Sequence, residues 1–296
     1  MLEQITQKIT RRKIQIVLGL LWLLDGCLQL QHQMFSSNFA SDVIAPSAQG
    51  QPRFVSSVIH FSIRIFLTHP AIFNSFIFII QSGLGIAILW KRTAKYGLMA
   101  SVAWGLFVWY AGEGLGGLAG GHALLLMGAP GAALLYAIIA LGVMPIKAKT
   151  DTAKQPASWL AYIWLLLWLG SALLLLWSKN TTKSLSTMIA GMASGAPGWM
   201  AALDYNVSLW LKARGNWLIL VAVLLYLAIG LMALLPRYWR LIAIKIGVIL
   251  LSFYWIVGQS MGGYFTGLAT DPGTAPLIIL LGIALLGTKD TKLDIT

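Results

Sequence analysis

Cysteine is almost absent from this chain. Cys27 is the only one, which excludes an intrachain disulfide and any metal site built from several thiolates. Charge is scarce as well: only 10% of the 296 residues are Asp, Glu, Lys or Arg, against about 25% in a soluble domain. Nine acidic and 21 basic residues cannot solvate the surface of a globule of this size. Polar interruptions are missing over long stretches. Ile14 to Leu30, Trp159 to Trp177 and Trp217 to Leu235 are nearly continuous apolar runs, each close to the roughly 20 residues that cross a hydrocarbon layer. With 58% hydrophobic residues, the composition excludes an ordinary soluble domain and predicts an all-α integral membrane protein.

What charge there is carries a pattern. A net charge of +12 would suggest nucleic acid in a soluble protein, but here the basic residues sort by side. Lys8, Arg11, Arg12 and Lys13 precede the first run, and Lys91, Arg92 and Lys95 fall between the second and third. Lys147, Lys149 and Lys154 follow the fourth, Arg237, Arg240 and Lys245 separate the sixth and seventh, and Lys289 and Lys292 follow the eighth. Only Arg53, Arg64, Lys179, Lys183, Lys212 and Arg214 remain for the other side. The positive-inside rule therefore predicts eight spans in the cytoplasmic membrane, with both termini cytoplasmic. The partner this charge implies is the lipid bilayer and not nucleic acid. Residues 8–24 imitate a signal peptide, yet no small-x-small cleavage site follows directly, so the segment reads as a retained span.

The chain also repeats itself. Gly50-Gln51-Pro52 is answered by Gly195-Ala196-Pro197, Gly85 by Gly230 and Gly26 by Gly170. Gly112-Glu113-Gly114-Leu115-Gly116-Gly117 is answered by Gly258-Gln259-Ser260-Met261-Gly262-Gly263, and Ala129-Pro130-Gly131 by Asp271-Pro272-Gly273. Anchors at a nearly constant offset predict a tandem duplication: a first four-span repeat over 1–146, a cytoplasmic linker over 147–157 and a second repeat over 158–296. An even number of spans per unit implies parallel orientation, related by a pseudo-two-fold axis along the membrane normal. The expected spans are 14–31, 71–90, 95–111, 130–146, 158–177, 216–235, 241–257 and 274–288. Before the second span of each unit lies an amphipathic segment that would lie in the outer interface or cap the bundle. In 53–68 the apolar side would be Phe54, Val58, Phe61 and Ile65. In 199–212 it would be Met200, Leu203, Val207 and Leu211, with Asp204, Ser208 and Lys212 opposite.

Polar groups at membrane depth rarely face lipid, which singles out a few candidates. Asp25 and Gln29, four apart on the first span, share a face, and Gln81 lies in the second. They either hydrogen-bond a neighbouring helix as packing contacts or line a cavity in which Asp25 handles protons or ligand. Glu113 opens the first glycine-rich outer loop, where backbone can turn tightly and dip inward. Its counterpart Gln259 is a neutral isostere, so one site would be active and the other degenerate. Glu113 and Asp25 are the candidate catalytic groups; Gln29, Gln81 and Gln259 are the candidate ligand contacts. The four histidines, His32, His60, His69 and His122, all fall in the first half on the outer side. Imidazole binds transition metals and haem iron, but no pair has ligand spacing on a helix, which disfavours a metal or haem site.

The opening helix, Gly19-Leu20-Leu21-Trp22-Leu23-Leu24-Asp25-Gly26-Cys27-Leu28-Gln29-Leu30, resembles that of DoxX/DoxD-like bacterial membrane proteins, which have a glycine, an apolar run, a second glycine and a polar residue before Leu. The family's basic residue near the end of this helix is Gln29 here. The resemblance implies a four-span bundle, doubled in this chain, and a subunit or accessory protein of a redox-linked, quinone-dependent membrane system, with other redox subunits as partners and quinone as the cofactor it admits. Two rivals stand beside it: a small-solute transporter or channel with paired glycine-rich loops, and a structural or assembly protein without ligand.

Overall fold

The computed structural model describes residues 9–145, 155–177 and 180–288. Lys8, Lys147, Lys149, Lys154, Lys179, Lys289, Lys292 and most of the expected linker lie outside the described residues. Within them the chain consists of helices and turns, with no strand. The first half contributes α1 (Arg11–Leu28), α2 (Arg53–Thr68), α3 (Pro70–Leu89), α4 (Ala94–Ala111) and α5 (Ala132–Gly142). The second contributes α6 (Leu160–Trp177), α7 (Thr182–Met192), α8 (Gly198–Lys212), α9 (Trp217–Met232), α10 (Arg237–Ile256) and α11 (Thr274–Leu286).

Proline sets several boundaries. It stands just before α2, α8 and α10 and opens α3, where its missing amide costs the helix nothing. The α7 helix starts on a reciprocal cap: Thr181 Oγ1 accepts from the Ser184 amide at 3.0 Å and Ser184 Oγ from the Thr181 amide at 2.9 Å.

Three helices, α3, α6 and α10, are long and apolar enough to cross a membrane, and α8 with α9, bent by 110° at their junction, would make a fourth. The surface is correspondingly apolar, with Ile72, Phe76, Leu166, Leu220 and Ile249 all exposed. Helices α1 and α4 have 18 residues each, but α1 opens on Arg11, Arg12 and Lys13 and contains Asp25.

The two halves pack in the same order, the first helix of each on the long helix that follows the amphipathic one and each later helix on the next: α1–α3, α3–α4, α4–α5 and α6–α9, α9–α10, α10–α11. The α1–α3 contact is close because Gly19 and Gly85 meet there; a Cβ on Gly85 would come 2.8 Å from the Gly19 carbonyl oxygen. The end of the bundle where α1 begins gathers basic residues. Arg12 donates to the carbonyls of Ile88 and Leu89 at the end of α3, and Gln15 Nε2 donates to Val143 O beyond α5 at 2.8 Å.

One expectation needs correction. The segments 130–146 and 274–288 form helices of only 11 and 13 residues, about 16–20 Å at 1.5 Å per residue, well short of the ~30 Å of hydrocarbon. Pro130-Gly131 and Pro272-Gly273 stand just before their starts. These half-length helices touch each other in the middle of the molecule, and α11 also touches α1 and α6. Their residues Leu135, Ile139, Leu277, Leu281 and Leu285 are buried in a core that runs through both halves.

Both amphipathic segments are helical. In α2 the buried residues are Val55, Ile59 and Phe66, whereas Phe54 and Phe61 are exposed; an apolar outer surface leaves no need for the more hydrophobic stripe to turn inward. In α8 the buried residues are Met200, Asp204 and Ser208, so the polar stripe is the inner one. It meets α7, where Ser186 and Ser208 share a hydrogen bond of 3.1 Å, and Trp210 and Leu209 point out.

Candidate functional site

The site is built where a glycine-rich loop meets the start of a half-length helix. After α4 the backbone tightens: the amides of Gly112 and Glu113 both donate to Val108 O, at 2.8 and 2.9 Å. The chain then passes through Leu115 at φ 57°, a left-handed conformation rare for a branched residue. This turn swings the Glu113 side chain onto the N-terminus of α5, where Oε1 accepts the Ala133 amide at 3.0 Å. An acidic group belongs at a helix N-terminus, whose first amides lack partners. Gly131, at φ +106°, makes the fit possible, because a Cβ there would collide with Glu113 Oε2. Trp109 Nε1 braces the corner by donating to Pro130 O at 2.8 Å.

The second half builds the same corner with a neutral side chain. The amides of Gly258 and Gln259 donate to Tyr254 O, Met261 has φ 52°, Trp255 Nε1 donates to Pro272 O at 2.7 Å, and Gln259 Oε1 accepts the Ala275 amide at 3.1 Å. One difference matters. Gln259 Nε2 donates to Leu125 O in the first half at 3.2 Å, so both ends of the amide are engaged, whereas Glu113 Oε2 is shut from solvent and has no partner. Gln259, a candidate ligand contact by sequence, is thus occupied in joining the halves.

Glu113 lines a chamber of about 560 Å³ in the first half, within the size range of small-molecule sites. Its walls come from α1 to α5 and residues 39–47, and they bring together Asp25, Gln29, Gln81 and Glu113, four candidates from separate parts of the sequence. Tyr136 on α5 and Asp271 from the second half complete the polar set. Of the five described acidic residues, three therefore line one cavity. The rest of the wall is mainly aliphatic and aromatic. Phe61, Phe76 and Phe107 on the wall are also exposed on the apolar surface.

Buried polar atoms nearly always have hydrogen-bond partners. In this chamber, Asp25 Oδ1, Gln29 Oε1, Gln81 Oε1, Trp104 Nε1, Glu113 Oε2 and Tyr136 Oη do not. Donors and acceptors are both represented. The Tyr136 hydroxyl lies beside the Asp25 carboxyl, and its ring packs on Trp22 with centroids 4.2 Å apart. Trp22 is held in turn by Ser101 Oγ, which accepts from Nε1 at 2.8 Å.

A second cavity of about 400 Å³ lies between the two glycine-rich loops, lined by Glu113, His122, Gln259 and Asp271 among others. Burial raises the Glu113 carboxyl to about 8, aided by the neighbouring Asp271 charge and opposed by hydrogen bonds from the amides of Ala133 and Ala132. Burial also raises Asp271, against the hydrogen bonds from Thr270 and Gly273.

The corresponding core of the second half is filled. Leu169 stands in the place of Asp25, and Tyr226, matching Gln81, hydrogen-bonds Tyr254 hydroxyl to hydroxyl at 2.8 Å. Trp164 and Trp168 are fully buried beside them.

The histidines do not converge. His32, His60, His69 and His122 are all exposed, and no group of three or more His, Cys, Asp or Glu placed to hold a metal occurs among the described residues. Sequence reasoning missed Tyr136 and Asp271. Asp271 had been visible only as the acidic member of a repeated X-Pro-Gly corner, and Tyr136 as the one hydroxyl in its apolar run. The fold and site together define a helical protein with helices long and apolar enough to cross a membrane and a ligand-sized chamber in its first half. The chain matches no family model, no curated protein and no solved structure.

Proposed function

We propose that this is a multi-pass protein of the cytoplasmic membrane whose first half binds a lipid-soluble molecule with a polar head, of the quinone class. It would serve as a subunit or accessory protein of a redox-linked membrane system, as the resemblance to DoxX/DoxD-like proteins implies. The observation that carries this reading is the chamber itself. An apolar entrance from the lipid-facing surface leads to six unpartnered buried polar atoms, the arrangement a ring with carbonyl or hydroxyl groups would satisfy while its tail stays in lipid. Trp104 Nε1 and the Tyr136 hydroxyl would donate to such a head, and Gln29, Gln81 and Asp25 would accept from its reduced form.

In the same reading the chain is a tandem duplication of a four-span unit in parallel orientation, with both termini cytoplasmic. The half-length α5 and α11 then serve as fourth spans, together with the loops that precede them. The paired corners at Glu113 and Gln259 and the matching order of helix contacts support it.

Titrating the purified protein with decylubiquinone and following tryptophan fluorescence tests the assignment. Saturable quenching that weakens in Gln81→Leu and Trp104→Phe is expected. Quenching that is linear with quinone and the same in both variants would reject it. A second reading, movement of a small solute between chamber and loop end, is favoured by the residues the two cavities share. Uptake of solute into vesicles without quinone binding would select it.

A further inference from the structure

The two cavities are back to back. Ser47, Glu113, Ala132 and Asp271 line both the lipid-facing chamber and the vestibule between the glycine-rich loops. Only two of these shared residues can carry a proton as carboxyls, and one of them comes from the other half of the chain. We infer that Asp271 is the group through which the chamber exchanges protons with the vestibule, passing them to Glu113 and from there to the Asp25–Tyr136 pair. The inference rests on the chamber being the functional site, but not on which ligand it holds.

The geometry suits that task. Asp271 is held from both sides: Oδ1 accepts the Gly273 amide at 2.8 Å and Oδ2 the Thr270 hydroxyl at 2.6 Å. It lies just before α11 and holds that helix's N-cap residue, Gly273, by its amide, while Glu113 binds the first turn of α5. Glu113 has Oε1 tied to α5 and Oε2 without a partner, which leaves one oxygen to receive or release a proton. The ionisable groups around Asp271 are Glu113 from the first loop, Asp25 from α1, Tyr136 from α5 and Tyr264 from its own loop; His122 stands on the vestibule wall. Lys and Arg side chains are absent from both linings. Burial raises both carboxyls, Glu113 to about 8, so Glu113 holds and loses a proton within reach of neutral pH. Each transfer is balanced: a proton enters Asp271 from vestibule water as Glu113 takes one from it, with no change of oxidation state. A second half whose own core is filled thereby completes the site of the first.

Hydrogen–deuterium exchange of carboxyl groups, followed by infrared spectroscopy on the full chain in phosphatidylcholine vesicles, tests this without any ligand. The carbonyl-stretch band lost in Glu113→Gln identifies Glu113. On transfer to D2O that band should shift rapidly in the wild type and slow by roughly tenfold or more in Asp271→Asn, which keeps shape but cannot relay a proton. Asp271→Glu should restore the fast rate. An unchanged rate in Asp271→Asn would overturn the inference, as would equal slowing in Asp271→Glu, which would mark a steric effect. Decylubiquinone titration of the same preparations separates the two claims. Slowed exchange without quinone binding would remove the quinone reading and keep the route, whereas quinone binding with unchanged exchange would remove the route alone.

Discussion

Glu113 Oε1 accepts the amide of Ala133 at 3.0 Å, so a half-length central helix begins on a carboxyl that also faces a cavity. One oxygen organises the backbone and the other is left for chemistry. The two roles are separable by substitution. Glu113→Gln keeps an oxygen on the Ala133 amide and should fold with near wild-type stability, whereas Glu113→Leu strands that amide and should cost about 1–3 kcal/mol. Thermal melting in detergent checks both. Equal melting points for the two variants would show that the cap is energetically silent.

The same residue predicts a pH dependence. The carboxyl is raised in the folded protein to about 8 from an ordinary 4.5, so between these values the folded state holds more protons than the unfolded one. Stability should therefore be complete below about 4.5 and fall as pH rises through about 8. Asp271, also raised, acts in the same direction. The melting temperature should decline over that window, and Glu113→Gln should flatten the decline. A slope unchanged in the variant would assign the titration elsewhere.

Gly131→Ala should be far worse than an ordinary glycine substitution. Its φ of +106° disfavours a side chain, and the new methyl would meet Glu113 Oε2 and, at 3.1 Å, Trp109 Cδ1. A loss of more than about 1 kcal/mol is expected. Gly83→Ala is the control, since nothing lies within 4 Å of its Cβ position, and it should be nearly neutral. Melting curves of the pair decide the matter.

Gln259→Glu would make the two corners chemically alike, and it should destabilise the protein. The new carboxyl oxygen would face Leu125 O, to which the amide nitrogen now donates at 3.2 Å. Losing that contact should cost about 1–3 kcal/mol, more as pH rises and the carboxyl ionises. A variant as stable as wild type at alkaline pH would show that the Gln259–Leu125 contact does not join the halves.

The sidedness of the basic residues can be tested in a Cys27→Ser background. Cysteines placed at the exposed Gln49 and Arg92 should react with an impermeant maleimide from opposite sides of the membrane, Arg92 from the cytoplasm. Labelling of both from one side would remove the eight-span topology.

Asp25, Gln29, Gln81 and Glu113 were legible because a polar residue inside an apolar run is conspicuous when lipid would be its neighbour. That they share one chamber was not legible. Asp25 and Gln81 are on different helices, and they are brought together by the close approach of α1 and α3 at Gly19 and Gly85 and at Gly26 and Ser82. The inward face of α8 was not legible either. Amphipathic patterning tells which side differs but not which side is wet, and in an apolar solvent the polar side turns in.

Composition and periodicity alone determined that the chain is helical, that its long helices suit a membrane, and that two segments share a glycine-rich corner. These follow from local rules: hydropathy, the cost of exposed backbone in lipid, and the turns glycine permits. Only the tertiary structure decided that α5 and α11 are half-length and central, that Gln259 is bound up in packing while Glu113 keeps a free oxygen, and that Asp271 crosses over to the first half's chamber. Each depends on contacts between segments more than a hundred residues apart, such as Gln259 Nε2 to Leu125 O and Thr274 Oγ1 to Gly128 O, and no local pattern encodes which distant backbone carbonyl a side chain will find.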